Sequence, residues 1–278
     1  HLGKIKINNE RAALKIFVIE DKLIVLDASS PVRVLSYQLK KDKMPRRVAV
    51  KTVRGEYVDS RLTNGRLIVV ANDRTFDQEL PLYPYEYADY STPIFSKVNI
   101  NTEKLSKLDV PCHRTVKPVF KHATEETVKV VSFDVTDDNL SDERLSIMGS
   151  ADQIYMTQEH LHLAKYAANV YSFIYHLNDS YDTTVIQKIK LDSIGGKSLG
   201  VVGGVEGYAK DQWAFKELGE NGAYLAIATT SRDNNNRFRN TTNNLFILKQ
   251  TEKKLKLHGS AKDFGRTEDI RSVRYVDD

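Results

Sequence analysis

Gly196-Lys197-Ser198-Leu199-Gly200 has the Gly-x-Ser-x-Gly spacing of a nucleophile elbow, with Asp211 and His258 following in the order of a hydrolase triad. An elbow needs a strand before the serine and a helix after it, so that the hydroxyl stands exposed beside an oxyanion hole. Val185 to Leu191 supplies the strand, but Val201-Val202-Gly203-Gly204-Val205-Glu206-Gly207 is too rich in glycine and valine for the helix. The glycines suit a turn between two outer strands. The same Gly196-Lys197-Ser198 ends like a phosphate-binding loop, yet the position five residues earlier is Leu191 and not glycine, so the converging backbone N–H groups are missing. No catalytic residue is assigned.

His160-Leu161-His162 puts two imidazoles on one face of a strand, because side chains alternate with period two. Such a pair can begin a zinc or copper site, with Glu159 or His176 as a third ligand. The plainer reading is a solvated strand face opposite Leu161 and Leu163, and no metal or other cofactor is expected. Asp137-Asp138-Asn139-Leu140-Ser141-Asp142-Glu143 offers hard oxygens but lacks the ligand spacing and central glycine of a calcium loop, and reads as a polar connection or the cap of one helical turn.

Tyr83, Tyr85, Tyr87 and Tyr90 fall within eight residues, between prolines that limit the backbone. Tyrosine gives a large contact area at low rotamer cost and a hydroxyl to bond with, so these rings suit stacking on a sugar, gripping a peptide or meeting another protein. They also suit stapling a long segment to the body of the fold.

The elements that must position these groups are short and β-branched. Lys15-Ile16-Phe17-Val18-Ile19, Leu23-Ile24-Val25-Leu26, Leu67-Ile68-Val69-Val70 and Tyr224-Leu225-Ala226-Ile227-Ala228 read as strands. Helical promise is confined to the polar Ser141 to Met148 and to Gln158–His176, and the second is read as strand because Val170-Tyr171-Ser172-Phe173-Ile174-Tyr175 is dominated by β formers. Hydrophobic residues are 41% and charged residues 28% of the chain, a folding composition. The formal charge of +4 is small for this length and the basic and acidic residues are interleaved, so no nucleic-acid partner is expected. No run approaches the roughly 18 apolar residues of a membrane span. The single cysteine, Cys112, excludes an internal disulfide framework.

Repeats set the architecture. Arg61-Leu62-Thr63-Asn64-Gly65-Arg66-Leu67 is strand, tight turn and strand, and Glu217-Leu218-Gly219-Glu220-Asn221-Gly222-Ala223-Tyr224 repeats it. Corresponding turns fall at Glu20-Asp21, Gln158-Glu159 and Asp277-Asp278, with successive spacings of 43, 94, 63 and 56 residues. Propeller blades take about 40–50 residues, so three spacings fit one blade with longer loops, and the 94-residue interval fits one blade carrying an insertion. The insertion is placed at about 74–126, where five of the seven prolines lie (Pro81, Pro84, Pro93, Pro111, Pro118). Regular strand signal resumes at Val128. Aligning Ile270–Asp278 with Tyr57–Gly65 puts Arg274 on Arg61 and ends the chain at a hairpin turn, so the domain over 1–278 is expected to be incomplete at its C-terminus. Arg61 and Arg274 are expected on innermost strands, and Trp213 near the start of another. There they either line a central channel that binds a ligand or pair with acids such as Asp59 and Asp269. Arg232 to Asn244 reads as an Asn-rich hairpin tip.

Gly207-Tyr208-Ala209-Lys210-Asp211-Gln212-Trp213-Ala214-Phe215, Tyr224 to Thr230, Asn243-Asn244-Leu245-Phe246-Ile247-Leu248 and Glu268 to Val276 resemble, in this order, motifs of a secreted bacterial β-propeller family distantly related to WD40 repeats. Gly55 to Leu62 and Gly149 to Tyr155 resemble its other blade openings, and Ala226 departs from the arginine usual there. The resemblance implies an all-β propeller of four-stranded blades, this chain supplying about four blades plus the start of another, and a secreted, periplasmic or envelope location. It carries no catalytic residues with it. The expected function is a non-enzymatic binding or scaffold module, with an unknown protein, peptide or carbohydrate as partner. The alternative is a hydrolase or lyase acting on polysaccharide or peptide at the channel. A third expectation is a piece completed by a second fragment or copy.

Overall fold

The computed structural model describes residues 14–41, 43–73, 115–116, 127–171, 180–194, 200–232, 241–252 and 254–276. Its backbone divides into two compact units, residues 1–150 with 194–197, and residues 151–193 with 198–278. Each unit holds two antiparallel blades.

In the first unit, β1 (Leu14–Ile19), β2 (Lys22–Asp27), β3 (Val32–Gln38) and β4 (Arg46–Val53) form one meander in sequence order. The second blade consists of β5 (Glu56–Thr63), β6 (Arg66–Asp73), β8 (Thr127–Asp134) and β9 (Asp142–Met148), with the two-residue β7 (Thr115–Val116) added in parallel beside β9. Residues 74–126, where an insertion was expected, fall in sequence between the second and third strands of this blade, and apart from β7 they lie outside the described residues. In the second unit, β10 (Gln153–Met156), β11 (His160–Tyr171), β12 (Ser180–Lys190) and β13 (Val201–Glu206) make the third blade. The fourth is made by β14 (Phe215–Leu218), β15 (Tyr224–Arg232), β16 (Thr241–Gln250) and β17 (Leu255–Phe264). Among the described residues no helix is long and apolar enough to cross a membrane.

The turns expected at Glu20-Asp21, Asn64-Gly65, Gln158-Glu159 and Asn221-Gly222 each join the first two strands of a blade. Glu20, Asn64 and Asn221 adopt positive φ, the left-handed backbone that asparagine and glycine tolerate best. Asp277-Asp278 lies outside the described residues. Ser141 to Met148, which had shown helical promise, is mostly the strand β9, because pairing with β8 overrides its weak local preference.

Strands on the middle of each blade are buried on both faces, since a blade packs against its neighbour as well as on itself. Leu67, Val69, Val131 and Phe133 of the second blade meet Ile24, Leu26, Val32 and Val34 of the first in one cluster with exposures of at most 1%. The second unit has its own core, in which Ala164 and Ile186 pack against Phe215, Leu225, Ile227 and Leu248. Each fully buried Leu, Ile, Val or Phe contributes roughly 1.5–3 kcal/mol, so these clusters are what hold blade to blade.

Candidate functional site

The two histidines expected on one strand face do share it, but that face is not solvated. His160 and His162 are both buried, because β11 is covered on its second side by the fourth blade. The register places Tyr155, His162 and Lys188 in one row across β10, β11 and β12. Glu217 of β14 reaches into this row. Its Oε1 lies 3.1 Å from His160 Nδ1, 3.3 Å from His162 Nε2 and 2.9 Å from Lys188 Nζ. The Glu217 backbone N–H donates to Tyr155 Oη at 3.1 Å, and Lys188 Nζ also donates to the Gly222 carbonyl at 2.5 Å. Tyr155 then stacks between the two blades, 5.3 Å from the His162 ring and 6.0 Å from Phe215.

The electrostatics follow from burial and charge pairing. Burial works to raise the Glu217 carboxyl, but contacts from His162 and Lys188 outweigh it and hold the group well below the usual carboxylate range. Burial takes both imidazoles below the ordinary histidine value, helped by the repulsion of Lys188 and opposed by Glu217. At neutral pH the set is one carboxylate, one lysine and two neutral rings. Two imidazoles and a carboxylate are zinc donors, yet here a lysine ammonium sits on the shared oxygen and provides the cation. Among the described residues no group of three or more His, Cys, Asp and Glu is arranged to hold a metal ion. Of the third ligands considered, Glu159 is exposed and His176 lies outside the described residues. Glu217 went unnoticed in the sequence because nothing in a 57-residue separation ties it to His160.

An open cleft of about 410 Å³ lies on the same unit, lined by Asp152, Gln153, Tyr166, Tyr208, Lys210 and Arg232 among others. The connection between the third and fourth blades forms one wall. Thr184 Oγ1 donates to the Gly207 carbonyl at 2.6 Å and accepts from Ala209 N–H at 3.2 Å, while Tyr208 and Thr230 exchange backbone bonds of 2.9 and 3.0 Å. Gly207 has φ 86°, and a Cβ there would fall 2.7 Å from both Ser231 Oγ and the Thr230 carbonyl. Only glycine brings the backbone this close. On this rigid connection Tyr208 meets Tyr166 edge to face at 6.0 Å, and the Arg232 guanidinium stands 5.7 Å from the Tyr208 ring centre.

Asp152 is occupied by Lys165 Nζ at 2.7 Å and Tyr166 N–H at 2.8 Å, so it orients the Tyr166 wall. Gln153 Nε2 donates to the Ala209 carbonyl at 2.7 Å. Lys210 Nζ donates to the Arg271 carbonyl. Among the described residues neither Lys210 nor Arg232 has a carboxylate partner. Three residues beyond Lys210, Trp213 sits on a 3-10 turn capped by Asp211, whose Oδ1 accepts from Trp213 N–H at 2.9 Å, and its indole is 66% exposed. The cleft pairs two phenol rings with two cations.

The sequence matches the family model described as Beta propeller domain over residues 4–278. The chain belongs to the beta propeller domain family. No curated protein matches it. Among solved structures it is similar to an acylaminoacyl peptidase in complex with Z-Gly-Gly-Phe-chloromethyl ketone, at 8% identity and TM-score 0.41, over 89% of this chain and 32% of that one. It is also similar to the WD40 domain of SCAP from fission yeast, at 11% identity and TM-score 0.26, over 92% of this chain and 66% of that one. The chain thus spans about a third of the first structure and just under two thirds of the second.

Within the propeller's blades, Arg61 lies on the first strand of the second blade and pairs with Asp59 at 2.8 Å. Trp213 immediately precedes the first strand of the fourth blade. Arg274 departs from its expected place. The segment 268–276 forms no strand ladder, and Arg274 is exposed. Side-chain bonds hold that segment instead. Asn243 Nδ2 donates to the Glu268 carbonyl at 3.0 Å, Ile270 N–H donates to Thr230 Oγ1 at 3.3 Å, and Tyr275 Oη donates to the Ala214 carbonyl at 2.9 Å. Tyr83, Tyr85, Tyr87 and Tyr90 lie outside the described residues, as do Gly196, Lys197, Ser198 and Leu199. The would-be triad partners are employed elsewhere, Asp211 as the cap and His258 against Tyr224 at 5.1 Å. The 137–143 acids serve the fold. Asp137 accepts from Asn139 and Ser141 N–H, and Asp138, Asp142 and Glu143 pair with Lys22, Lys51 and Arg66.

Proposed function

We propose that this chain is a non-enzymatic binding module acting outside the cytoplasm, and that the Tyr166–Tyr208 cleft takes its ligand. The cleft itself carries the reading. It combines flat apolar walls on a clamped backbone with two cations that have no carboxylate partner among the described residues. Such a surface favours a protein segment, peptide or carbohydrate that bears an acidic group beside an apolar face. The extracytoplasmic location rests on the resemblance of the four ordered motifs to a secreted family. The hydrolase or lyase alternative would draw on His160, His162 and Glu217. Their burial and their ion pairing with Lys188 suit a lock between blades better than proton transfer to a substrate.

Trp213 is the chain's single tryptophan and is exposed on the connection that walls the cleft, so its emission reports on ligand binding. Titration with acidic peptides and with uronate oligosaccharides is expected to shift that emission saturably. Tyr208→Ala and Arg232→Ala should each weaken binding about tenfold, the loss of one ring or one charge-assisted contact. Equal binding by wild type and both variants, or no binding to either ligand class, would reject the cleft as the site.

A further inference from the structure

We infer that the tip of the β3–β4 hairpin in the first blade docks the protein on an anionic lipid surface. Lys40, Lys41, Lys43, Arg46 and Arg47 stand within eight residues with Asp42 as the one acid, an excess equal to the whole chain's formal +4. The remainder of the molecule is therefore balanced in charge, and its excess is concentrated at one hairpin.

All five cations are exposed. Elsewhere in the same unit cations are consumed by the fold: Lys15, Lys22, Arg33, Lys51, Arg54 and Arg66 each lie within 3.4 Å of a carboxylate. Among the described residues none of the five hairpin cations has such a partner. The tip is closed by a bond from Lys43 N–H to the Lys40 carbonyl at 3.2 Å, so the charges ride on a formed turn.

At the centre of this patch Met44 is 62% exposed, followed by Pro45. An exposed apolar side chain within a run of exposed cations matches the boundary between lipid headgroups and acyl chains, where the cations meet phosphate and the thioether leaves water. Nucleic acid is the less favoured polyanion, because 40–47 has no aromatic side chain on which a base can stack.

The test is co-sedimentation of the full chain with phosphatidylcholine vesicles, with and without phosphatidylglycerol, at low salt and at about 0.3 M salt. Binding is expected only to the anionic vesicles, and weaker in high salt. Replacing all five cations by alanine should lower partitioning more than a hundredfold, at about fivefold per charge. Met44→Ser should lower it several-fold and leave the salt dependence unchanged. Because these positions are exposed, a thermal melt matching wild type verifies folding, and a Lys40→Gln/Lys41→Gln/Lys43→Gln variant serves if the fivefold substitution does not fold. Binding to neutral vesicles, unchanged binding by the charge-removed variants, or vesicle binding by Met44→Ser equal to that of wild type would each overturn the inference.

Discussion

Glu217 Oε1, on the first strand of the fourth blade, lies 2.9 Å from Nζ of Lys188, on the third strand of the third blade. The lysine side chain is 2% exposed and the carboxylate 12%, so each leaves the other uncompensated if it is removed. Glu217→Ala should cost about 3–5 kcal/mol in urea unfolding, and Lys188→Met a similar amount. The double variant Glu217→Leu/Lys188→Met should recover most of that loss, because a packed apolar pair carries no desolvation penalty. Simple addition of the two losses would show that the pair acts independently.

Acid should weaken the same lock in two stages. His160 and His162 have folded values below the ordinary 6.5, so between the two values the unfolded chain binds more protons. Their contribution is complete above about 6.5 and falls as pH drops below it. Glu217 is depressed below its ordinary 4.5, so its contribution is present above that value and disappears as pH falls towards the folded one. Melting temperature should be level above neutrality, decline from about pH 6.5 downwards, and steepen below about 4.5. A His162→Gln variant that kept the first decline intact would remove this explanation.

Gly222 should tolerate substitution worse than Gly65, although both occupy turns with positive φ (62° and 72°). A Cβ on Gly222 would stand 2.5 Å from Glu217 Cδ and Oε1, whereas one on Gly65 meets only Thr136 Cγ2 at 3.1 Å. Gly65→Ala should cost about 1 kcal/mol from the backbone alone. Gly222→Ala should exceed that by about 1–2 kcal/mol, because it also displaces the carboxylate. Equal costs would mean that Glu217 moves aside freely.

Hairpin turns were the most legible part of the sequence, since Asn64-Gly65 and Asn221-Gly222 announce a backbone few residues can adopt. They set blade phase and marked the hairpin that follows Arg61. The same phase failed for Arg274. The alternation around Val273 and Tyr275 is strand-like, with both partly buried between exposed neighbours, but a strand also needs a partner to pair with. His160-Leu161-His162 showed that one strand face was polar, and could not show that another blade covers it. Glu217, Lys188 and the cleft residues are brought together by packing between blades, and no local pattern records that.

Arg61 should matter less than its neighbour Asp59. Asp59 takes both Arg61 at 2.8 Å and, from the first strand of the first blade, Lys15 at 2.5 Å. Asp59 is thus a tie between two blades, with Arg61 as one of its two cationic partners. These groups are partly exposed, so solvent screening limits Arg61→Ala to under about 1 kcal/mol, with Asp59→Ala costing more. Chemical denaturation of the two variants gives the order, and a larger loss for Arg61→Ala would reverse the assignment.

The 53 residues at 74–126 leave and re-enter the second blade at two facing positions, because the β6–β8 ladder runs unbroken from Arg66↔Asp134 to Asp73↔Thr127. Its end is pinned by Lys129 Nζ on Asp73 at 2.7 Å, beside Thr127 Oγ1 donating to the Asp73 carbonyl. Replacing the segment with Asn-Gly removes β7 with it, and should still leave the four-stranded meander folded, with a gain of about 3 kcal/mol from the closure entropy of the longer loop. Unfolding on deletion would show the segment to be part of the core. With positions 73 and 127 tied together, chain added between them costs only about 0.6 kcal/mol for each doubling of its length, so this end of the ladder is a place where the second blade can grow without pulling its meander apart.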